Sequence, residues 1–337
     1  MDTPRVASHG GRTKEDSGVV HRIGVIGLGK IAQDQHLPVI AANPAFKLVA
    51  VSSQRGLGAG DGVAAFRDHA EMIRAGGLDA VAICTPPLAR HAIARDALTA
   101  GLHVMLEKPP AATTSELADL ERLAAGVGSG GVGSGGVGRV LFATWHSQFN
   151  EAVEAARTRL IGRTVTRLRI EWREDVRKWH PGQAWIWEPG GFGVFDPGIN
   201  ALSIATRIMP QPLFLRSAEL LFPANRAQPI AADLVFDGPD HSASFDWREQ
   251  GGETWRIEVV TADGMRITLH DGGSRIELDG ISGVDPTRDA LGEYAAIYRR
   301  FDMLLRTGRS EVDAAPLRLV ADAFLLGRRR DTEAFAD

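Results

Sequence analysis

His21-Arg22-Ile23-Gly24-Val25-Ile26-Gly27-Leu28-Gly29-Lys30-Ile31-Ala32 decides the fold. An apolar run enters Gly27-x-Gly29-x-x-Ala32, and a helical pattern leaves it. The first glycine permits a tight turn. The second lets a pyrophosphate approach the backbone, and the small third residue lets helix pack on strand. The new helix, opening through Lys30 and Ile31, offers free N–H groups and a positive dipole end to phosphates. Such turns also serve as plain packing devices, so the surrounding pattern gives this one its meaning.

Working outward, strand-like and helical runs alternate as far as residue 147. Segments 23–27, 47–52, 80–85, 103–106 and 139–145 read as strands. Segments 31–42, 67–75, 90–100 and 115–125 have helical spacing. This βαβ alternation predicts a parallel sheet with helices on both faces. The Gly/Val/Ser repeat at 126–138 lacks charge and helix formers and reads as a flexible surface loop. After residue 160 the period changes. Leu168, Ile170 and Trp172 alternate with Arg167, Arg169 and Glu171, as in a half-buried sheet. Segments 255–262 and 265–269 flank Asp263-Gly264, a hairpin signal, and Asp271-Gly272-Gly273 turns into 275–278. Segment 316–330 reads as a final amphipathic helix. The expected architecture is α/β. A Rossmann dinucleotide-binding domain spans 21–147. An α+β domain with an open, mainly antiparallel sheet spans 148–330, for substrate and oligomerisation. Residues 1–20 form a disordered tail. An open sheet invites pairing with a copy of itself, so a homodimer or homotetramer is expected.

A chain of 337 residues, 44% hydrophobic and 24% charged, can fill two cores. A formal net charge of −4 gives no electrostatic case for nucleic acid or an anionic membrane. No apolar run is long enough to span a bilayer, and residues 1–20 resemble neither a secretory signal nor a lipid anchor. The single cysteine, Cys84, lies in an apolar run and reads as a core residue. One thiol and no Cys/His ligand cluster point to the cytoplasm and away from a metal site.

Glu107-Lys108-Pro109-Pro110 follows the strand 103–106. Ligands of a doubly wound sheet lie beyond the carboxyl ends of its strands, which aims Lys108 at the cofactor cleft. A proline pair is an unusual setting for an idle surface lysine, and an X-Pro bond there is open to the cis form. The second strand runs into Ser52-Ser53-Gln54-Arg55. NAD-specific sites place an acid here for the ribose 2′-OH, and this chain has none. Ser53 and Arg55 can instead donate to a 2′-phosphate, so NADP is expected to be preferred and NAD usable. The alternative has Arg55 in solvent and a loop neutral to both. Asp196-Pro197 reads as a helix start, with Asp196 as N-cap and Pro197 in the first turn. Asn200 lies one turn on, on the same face. The neighbouring Gly190-Gly191 is expected to let a ligand approach the backbone. His146, just past a strand, Glu174 and His180 are further polar candidates. Trp179, Trp185 and Trp187 surround His180 with aromatic faces that suit a pyranose or, equally, a core.

In order along the chain, Gly27-x-Gly29-x-x-Ala32, Thr85-Pro86-Pro87, Ala100-Gly101-Leu102-His103-Val104 and Glu107-Lys108-Pro109 resemble the glucose–fructose oxidoreductase / inositol dehydrogenase family. The likeness covers 21–330. Within it, 174–183, 185–191 and 195–200 look like the bacterial L-arabinose / D-galactose 1-dehydrogenase branch. The resemblance implies a Rossmann domain joined to an open-sheet domain, acting on sugars or polyols with NAD(P). It implies that Lys108 lies beside the nicotinamide and the reacting hydroxyl. Gly27, Gly29, Lys30, Ile31, Ser52, Ser53, Gln54, Arg55, Thr85, Pro86 and Glu107 then surround the cofactor.

Two departures matter. The family's Asp-x-x-x-His is here Asp196-x-x-x-Asn200, and asparagine cannot shuttle a proton. The family's histidine after Thr-Pro falls at Arg90, with His91 one residue late and given no role. The activity implied is oxidation of C1 of a pyranose to its lactone. Lys108 would bind O1 and polarise or relay its proton. Asp196 would orient or deprotonate that pair, and Asn200, Glu174, His146 and His180 would grip the sugar. A cofactor-bound sugar sensor without catalysis, or an inositol or dihydrodiol dehydrogenase, are the alternatives.

Overall fold

The computed structural model describes residues 19–126, 138–282 and 292–336. Nearly all of the expected tail, and 127–137 of the expected glycine-rich loop, lie outside the described residues.

The first sheet is built from β1 (His21–Ile26), β2 (Phe46–Ser52), β3 (Ala64–Phe66), β4 (Ala80–Ile83), β5 (His103–Leu106) and β6 (Leu141–Ala143). Among the described residues its order is β3-β2-β1-β4-β5-β6, with every neighbouring pair parallel. Strands buried on both faces need continuous apolar sequence, and Ala80–Ile83 is buried at every position. The order reverses between β1 and β4, which opens a crevice at their carboxyl ends. The helices α1 (Leu37–Ala42), α2 (His69–Ala75), α3 (Pro87–Thr99) and α4 (Thr114–Ala124) connect the strands. The helix expected over 31–42 begins with a π-helical turn, Ala32–His36, which runs straight into α1. Its last residue, His36, is fully buried. Asp68 caps α2, and Thr113 with Glu116 forms a capping box on α4.

Three helices, α5 (Glu151–Leu160), the short α6 (Val176–Trp179) and α7 (Phe195–Ile208), interleave with the start of the second sheet. Its strands are β7 (Val165–Arg173), β8 (Leu215–Pro223), β9 (Ala231–Phe236), β10 (His241–Asp246), β11 (Thr254–Thr261), β12 (Arg266–His270), β13 (Arg275–Leu278), β14 (Ile281–Ser282) and β15 (Arg328–Thr332). The order is β14-β13-β12-β11-β7-β10-β9-β8-β15. Among the described residues only β7–β10 and β8–β15 pair in parallel, so the sheet is mainly antiparallel. Leu168, Ile170 and Trp172 face the core, as their alternation predicts, while Arg169 is exposed. The hairpin at Asp263-Gly264 joins β11 to β12, but Thr261 pairs with Met265 across it, so the loop has three residues, 262–264, rather than two.

Two more helices follow, α8 (Gly292–Thr307) and α9 (Ala315–Leu326). Helix α8 falls within 148–330 yet packs on the first sheet. Tyr294, Ile297, Tyr298 and Phe301 share one buried cluster with Ile23, Val25, Phe46 and Phe142. The helix expected over 316–330 stops at Leu326. Gly327, a poor helix former, ends it, and Arg328–Thr332 becomes an edge strand along β8. Among the described residues no helix is long and apolar enough to cross a membrane.

Candidate active site

Two hollows lie side by side at the strand ends. The first opens over the glycine turn. Gly27 has φ of 91°, and its N–H donates to the Ser52 carbonyl at 2.8 Å. A Cβ on Gly27 would press the Thr85 backbone at 3.0 Å, so the turn admits only glycine. A Cβ on Gly29 would meet no described atom within 4 Å. Glycine there is not needed for packing and leaves the face of the cleft open. Leu28, Ser52, Ser53, Gln54, Arg55, Thr85 and Pro86 line the same cleft. Arg55 Nη2 donates to the Leu28 carbonyl at 3.1 Å, so the guanidinium reaches back over the turn. Lys30 does not line the cleft; it is exposed and paired with Asp34. Ile31 turns to the second hollow. Arg67, Asp68 and His69 join the cleft because β3 pairs beside β2, a neighbourhood the local sequence does not announce. The Asp68 carboxylate caps α2, and backbone bonds from Glu71 and Ala70 hold it below the usual carboxylate range. A glycine turn, an open second glycine and an arginine reaching back over that turn fit a dinucleotide.

The second hollow is lined by Lys108, His146, Glu174, His180, Asp196 and Asn200, all anticipated from sequence. Lys108 Nζ donates to the Asp196 carbonyl at 2.9 Å and to Oδ1 at 3.3 Å. The Lys108–Pro109 bond is cis. Glu107 points the other way, into the protein, and is buried away from both hollows. Its carboxylate accepts from the Lys108 backbone at 3.0 Å and from Tyr294 Oη at 2.8 Å, and meets His36 Nε2 at 2.9 Å. Burial pushes this carboxyl up, but the bond and charge of His36 outweigh it and hold it at about 2. Arg90, given no role from sequence, is buried and donates to the carbonyls of Thr85, Glu107 and Pro109. Its guanidinium clamps the backbone on both sides of Lys108, and burial lowers it to about 10. His91 lies apart, paired with Asp119.

Asp196 is not an N-cap. Val194 holds that position, and Asp196 lies inside the first turn of α7. Its carboxylate turns away from the helix end to Lys108 and His180 instead of a backbone N–H. Oδ1 meets Lys108, and Oδ2 lies 3.3 Å from His180 Nε2. Burial opposes ionisation, but the charges of Lys108 and His180 prevail and keep the carboxyl below its ordinary value. His180 is lowered, because burial outweighs the attraction of Asp196. Asn200 is half-buried on the wall of the hollow, and among the described residues its side-chain amide has no protein partner. Gly190-Gly191 does not serve ligand approach here. Gly190 is required by its positive φ of 87°, and a side chain on Gly191 would strike the Trp185 and Ile186 backbone.

Glu174 pairs with neither Arg173 nor Arg177. Its oxygens accept from the indoles of Trp247 at 3.2 Å and Trp255 at 2.9 Å. Burial, with the nearby Asp196 charge, raises it to about 7 despite both indoles. The aromatic wall is Trp172, Trp179 and Trp255, with Trp172 and Trp255 stacked at 5.8 Å. Trp187 is buried in the core and Trp185 packs against it. Sequence reasoning missed Trp172 and Trp255 as a wall, although their inward alternation on β7 and β11 is the signal that finds them. It also missed Asn150, Asp271 and Glu293, which local sequence does not mark.

The arrangement brings a cation, a buried carboxylate and a neutral imidazole together beside a dinucleotide cleft. It can bind a polyhydroxylated ring and accept a proton from one hydroxyl. Residues 21–129 match the oxidoreductase family with an NAD-binding Rossmann fold. The galactose 1-dehydrogenase of Pseudomonas fluorescens is 45% identical over 320 residues, 94% of this chain and 99% of that one. The crystal structure of D-galactose-1-dehydrogenase from Rhizobium etli superposes with a TM-score of 0.86 at 48% identity, covering 95% of this chain and 99% of that one. A 3-ketoreductase from Actinomadura kijaniata, solved with NADP and TDP-benzene, shares the fold at a TM-score of 0.76 and 18% identity, over 93% and 99% of the two chains. The chain belongs to this NAD-binding oxidoreductase family, the one its ordered motifs resemble.

Proposed function

We propose, from this membership, that the protein is an NAD(P)-dependent aldose 1-dehydrogenase that oxidises C1 of a pyranose such as D-galactose or L-arabinose to the aldonolactone. The observation that carries the reading is the contact of Lys108 with Asp196 inside a hollow walled by tryptophans and polar side chains, beside the dinucleotide cleft. The cofactor, when bound, supplies the hydride acceptor. Lys108 binds O1 and polarises its O–H bond. The proton passes to the Lys108–Asp196 pair, with His180 holding the second carboxylate oxygen. Asn200, Glu174 and His146 hold the remaining hydroxyls, with His180 beside them on the wall, its Nε2 turned to Asp196. A mismatched epimer leaves these polar groups unpaired, which supports discrimination between sugars.

NADP is the preferred cofactor in this proposal and NAD a usable one, supported by the reach of Arg55 over the glycine turn. Gly27, Gly29, Ser52, Ser53, Gln54, Thr85 and Pro86 complete that site. Residues 21–147 with α8 form the dinucleotide-binding unit, and the rest of 148–330 the substrate unit. The outer face of the second sheet pairs with another copy of the chain, and the enzyme works in the cytoplasm. A panel of D-galactose, L-arabinose, D-fucose, D-xylose, D-glucose and myo-inositol, each with NADP and NAD, tests the reading. Steady formation of reduced cofactor with an aldose is expected. Binding of sugar without turnover would identify a sensor instead, and activity on myo-inositol alone would move the substrate class.

A further inference from the structure

We propose that Glu293 is a positioning residue of the sugar site, holding His146 by Nδ1 so that Nε2 faces the substrate. The inference rests on the aldose reading and adds a residue from a distant part of the chain. Glu293 opens α8, a helix packed on the first sheet, yet its side chain lines the hollow of Lys108 and Asp196. Oε2 lies 2.7 Å from His146 Nδ1, and Oε1 accepts from Asn150 Nδ2 at 2.6 Å. The Asn150 amide also donates to the Gly272 carbonyl at 3.0 Å. One carboxylate therefore ties together the segment after β6, the start of α8 and the turn after β12.

The chemistry of the pair follows from donor and acceptor rules. An ionised carboxylate only accepts, so the proton shared with Glu293 sits on Nδ1. Among the described residues Nε2 of His146 has no protein partner, and the ring lines the hollow, stacked on Tyr294 at 6.0 Å. The charged groups facing the ring are Glu293 from α8 and Glu107 and Lys108 from the segment after β5. Glu174, Asp196 and His180 line the same hollow, and the Ser147 hydroxyl lies 3.3 Å from Nδ1. Burial alone would lower His146, but the charge and bond of Glu293, aided by Glu107 and opposed by Lys108, raise it. Glu293 is held below the usual range, because His146 and Asn150 outweigh its own burial. The imidazolium, with a donor at Nε2, thus persists to higher pH than an ordinary histidine would allow. As pH rises through the raised value Nε2 turns from charged donor to neutral acceptor, and the charge-assisted bond to a hydroxyl oxygen is lost.

Glu293→Gln keeps the shape and can still accept from Asn150. In the full chain without sugar, the NMR titration of the His146 imidazole is expected to move to lower pH in this variant. With sugar, the alkaline rise in KM should begin at lower pH. Between the two midpoints KM should be about tenfold higher, the scale of one lost charge-assisted hydrogen bond, with the change falling mainly on KM rather than kcat. His146→Gln should erase the alkaline limb, and adding Glu293→Gln to it should change KM no further. Glu293→Asp, which keeps the charge, should restore part of the titration. An unmoved His146 midpoint, or additive losses in the double variant, overturns the proposal. Absence of turnover with every sugar would defeat the aldose reading, while the NMR midpoint would still decide the pair.

Discussion

Lys108→Met removes a charge while keeping an unbranched side chain in place. In the wild-type protein Lys108 touches both the carbonyl and the carboxylate of Asp196, and the two side chains are only 16% and 7% exposed. Breaking a buried pair from one side costs about 3–5 kcal/mol when the remaining charge has no relief. Asp196 has two forms of relief. His180 Nε2 stays 3.3 Å from Oδ2, and the carboxyl can take up a proton.

Protonation limits the cost to about 1.4 kcal/mol for each pH unit above the ordinary carboxyl value, up to the raised one. The sign is therefore testable. In the wild type the depressed Asp196 contributes stability above the unfolded carboxylate range, and that stability is lost as pH falls. In the variant Asp196 no longer has Lys108, so stability should instead decline as pH rises above the ordinary carboxyl range. Its melting temperature should fall by a few degrees at neutral pH and recover in mild acid. Turnover should drop by about 10²–10⁴-fold, the usual scale for a lost proton-handling group. Cofactor affinity should survive, because the Gly27 turn is untouched. Rates of reduced-cofactor formation, cofactor binding by fluorescence and melting against pH measure the three effects separately. Near-normal kcat, or a loss that simply follows loss of cofactor binding, would refute the assignment.

Arg55→Ala should raise the KM for NADP by roughly 10–150-fold, the range of one charged hydrogen bond, and leave that for NAD nearly unchanged. Equal effects on both cofactors would sink the 2′-phosphate assignment. Asp196→Ala should abolish most turnover without the loss of a helix cap, since its carboxylate caps nothing, while Asn200→Ala should act mainly on the KM for sugar. A folded Asp196→Ala protein with unchanged kcat/KM would make Asp196 structural only. Glu174 has a raised pKa of about 7 against 4.5 for the ordinary side chain, so the folded state binds its proton more tightly than the unfolded chain does. Between those values stability should fall as pH rises, by up to roughly 3 kcal/mol from this group, and Glu174→Gln should remove that part of the slope in pH-dependent denaturation. Identical slopes in the two proteins would contradict the burial of an ionising Glu174.

The features legible in sequence are those whose signal is local. The Gly27 turn, the strand over 103–106 and the hairpin at Asp263-Gly264 are each set by a few adjacent residues, and each stands where the pattern puts it. The misread features are those where a distant partner overrides a local preference. Asp196 followed by proline is a good cap locally, but Lys108, 88 residues away, takes its carboxylate. Gly190-Gly191 looks permissive locally, but the crowding that demands glycine at 191 comes from the backbone of the preceding tryptophan turn. Three arginines at 328–330 extend a helical pattern locally, but the free edge of β8 draws the chain into a strand.

The site divides along the same line, for a reason rooted in the cost of buried charge. Lys108 and the glycines announce themselves because a ligand must reach them from a fixed turn or strand end. The groups that hold them do not. Glu107 is buried, so it persists as a carboxylate only with partners of its own: His36, Tyr294 and the Lys108 amide. Those partners come from 71 and 187 residues away, through a π-helical turn and α8. Each is a polar residue on an otherwise apolar helix face, which periodicity reads as an ordinary exception. Removing any one leaves the others buried and unsatisfied, so the network acts as a unit that fixes the backbone beneath Lys108. Arg90 completes it from α3 by clamping the carbonyls on both sides of that lysine. The precision of the reacting end is therefore set by residues that never face the substrate, and only the folded chain brings them together.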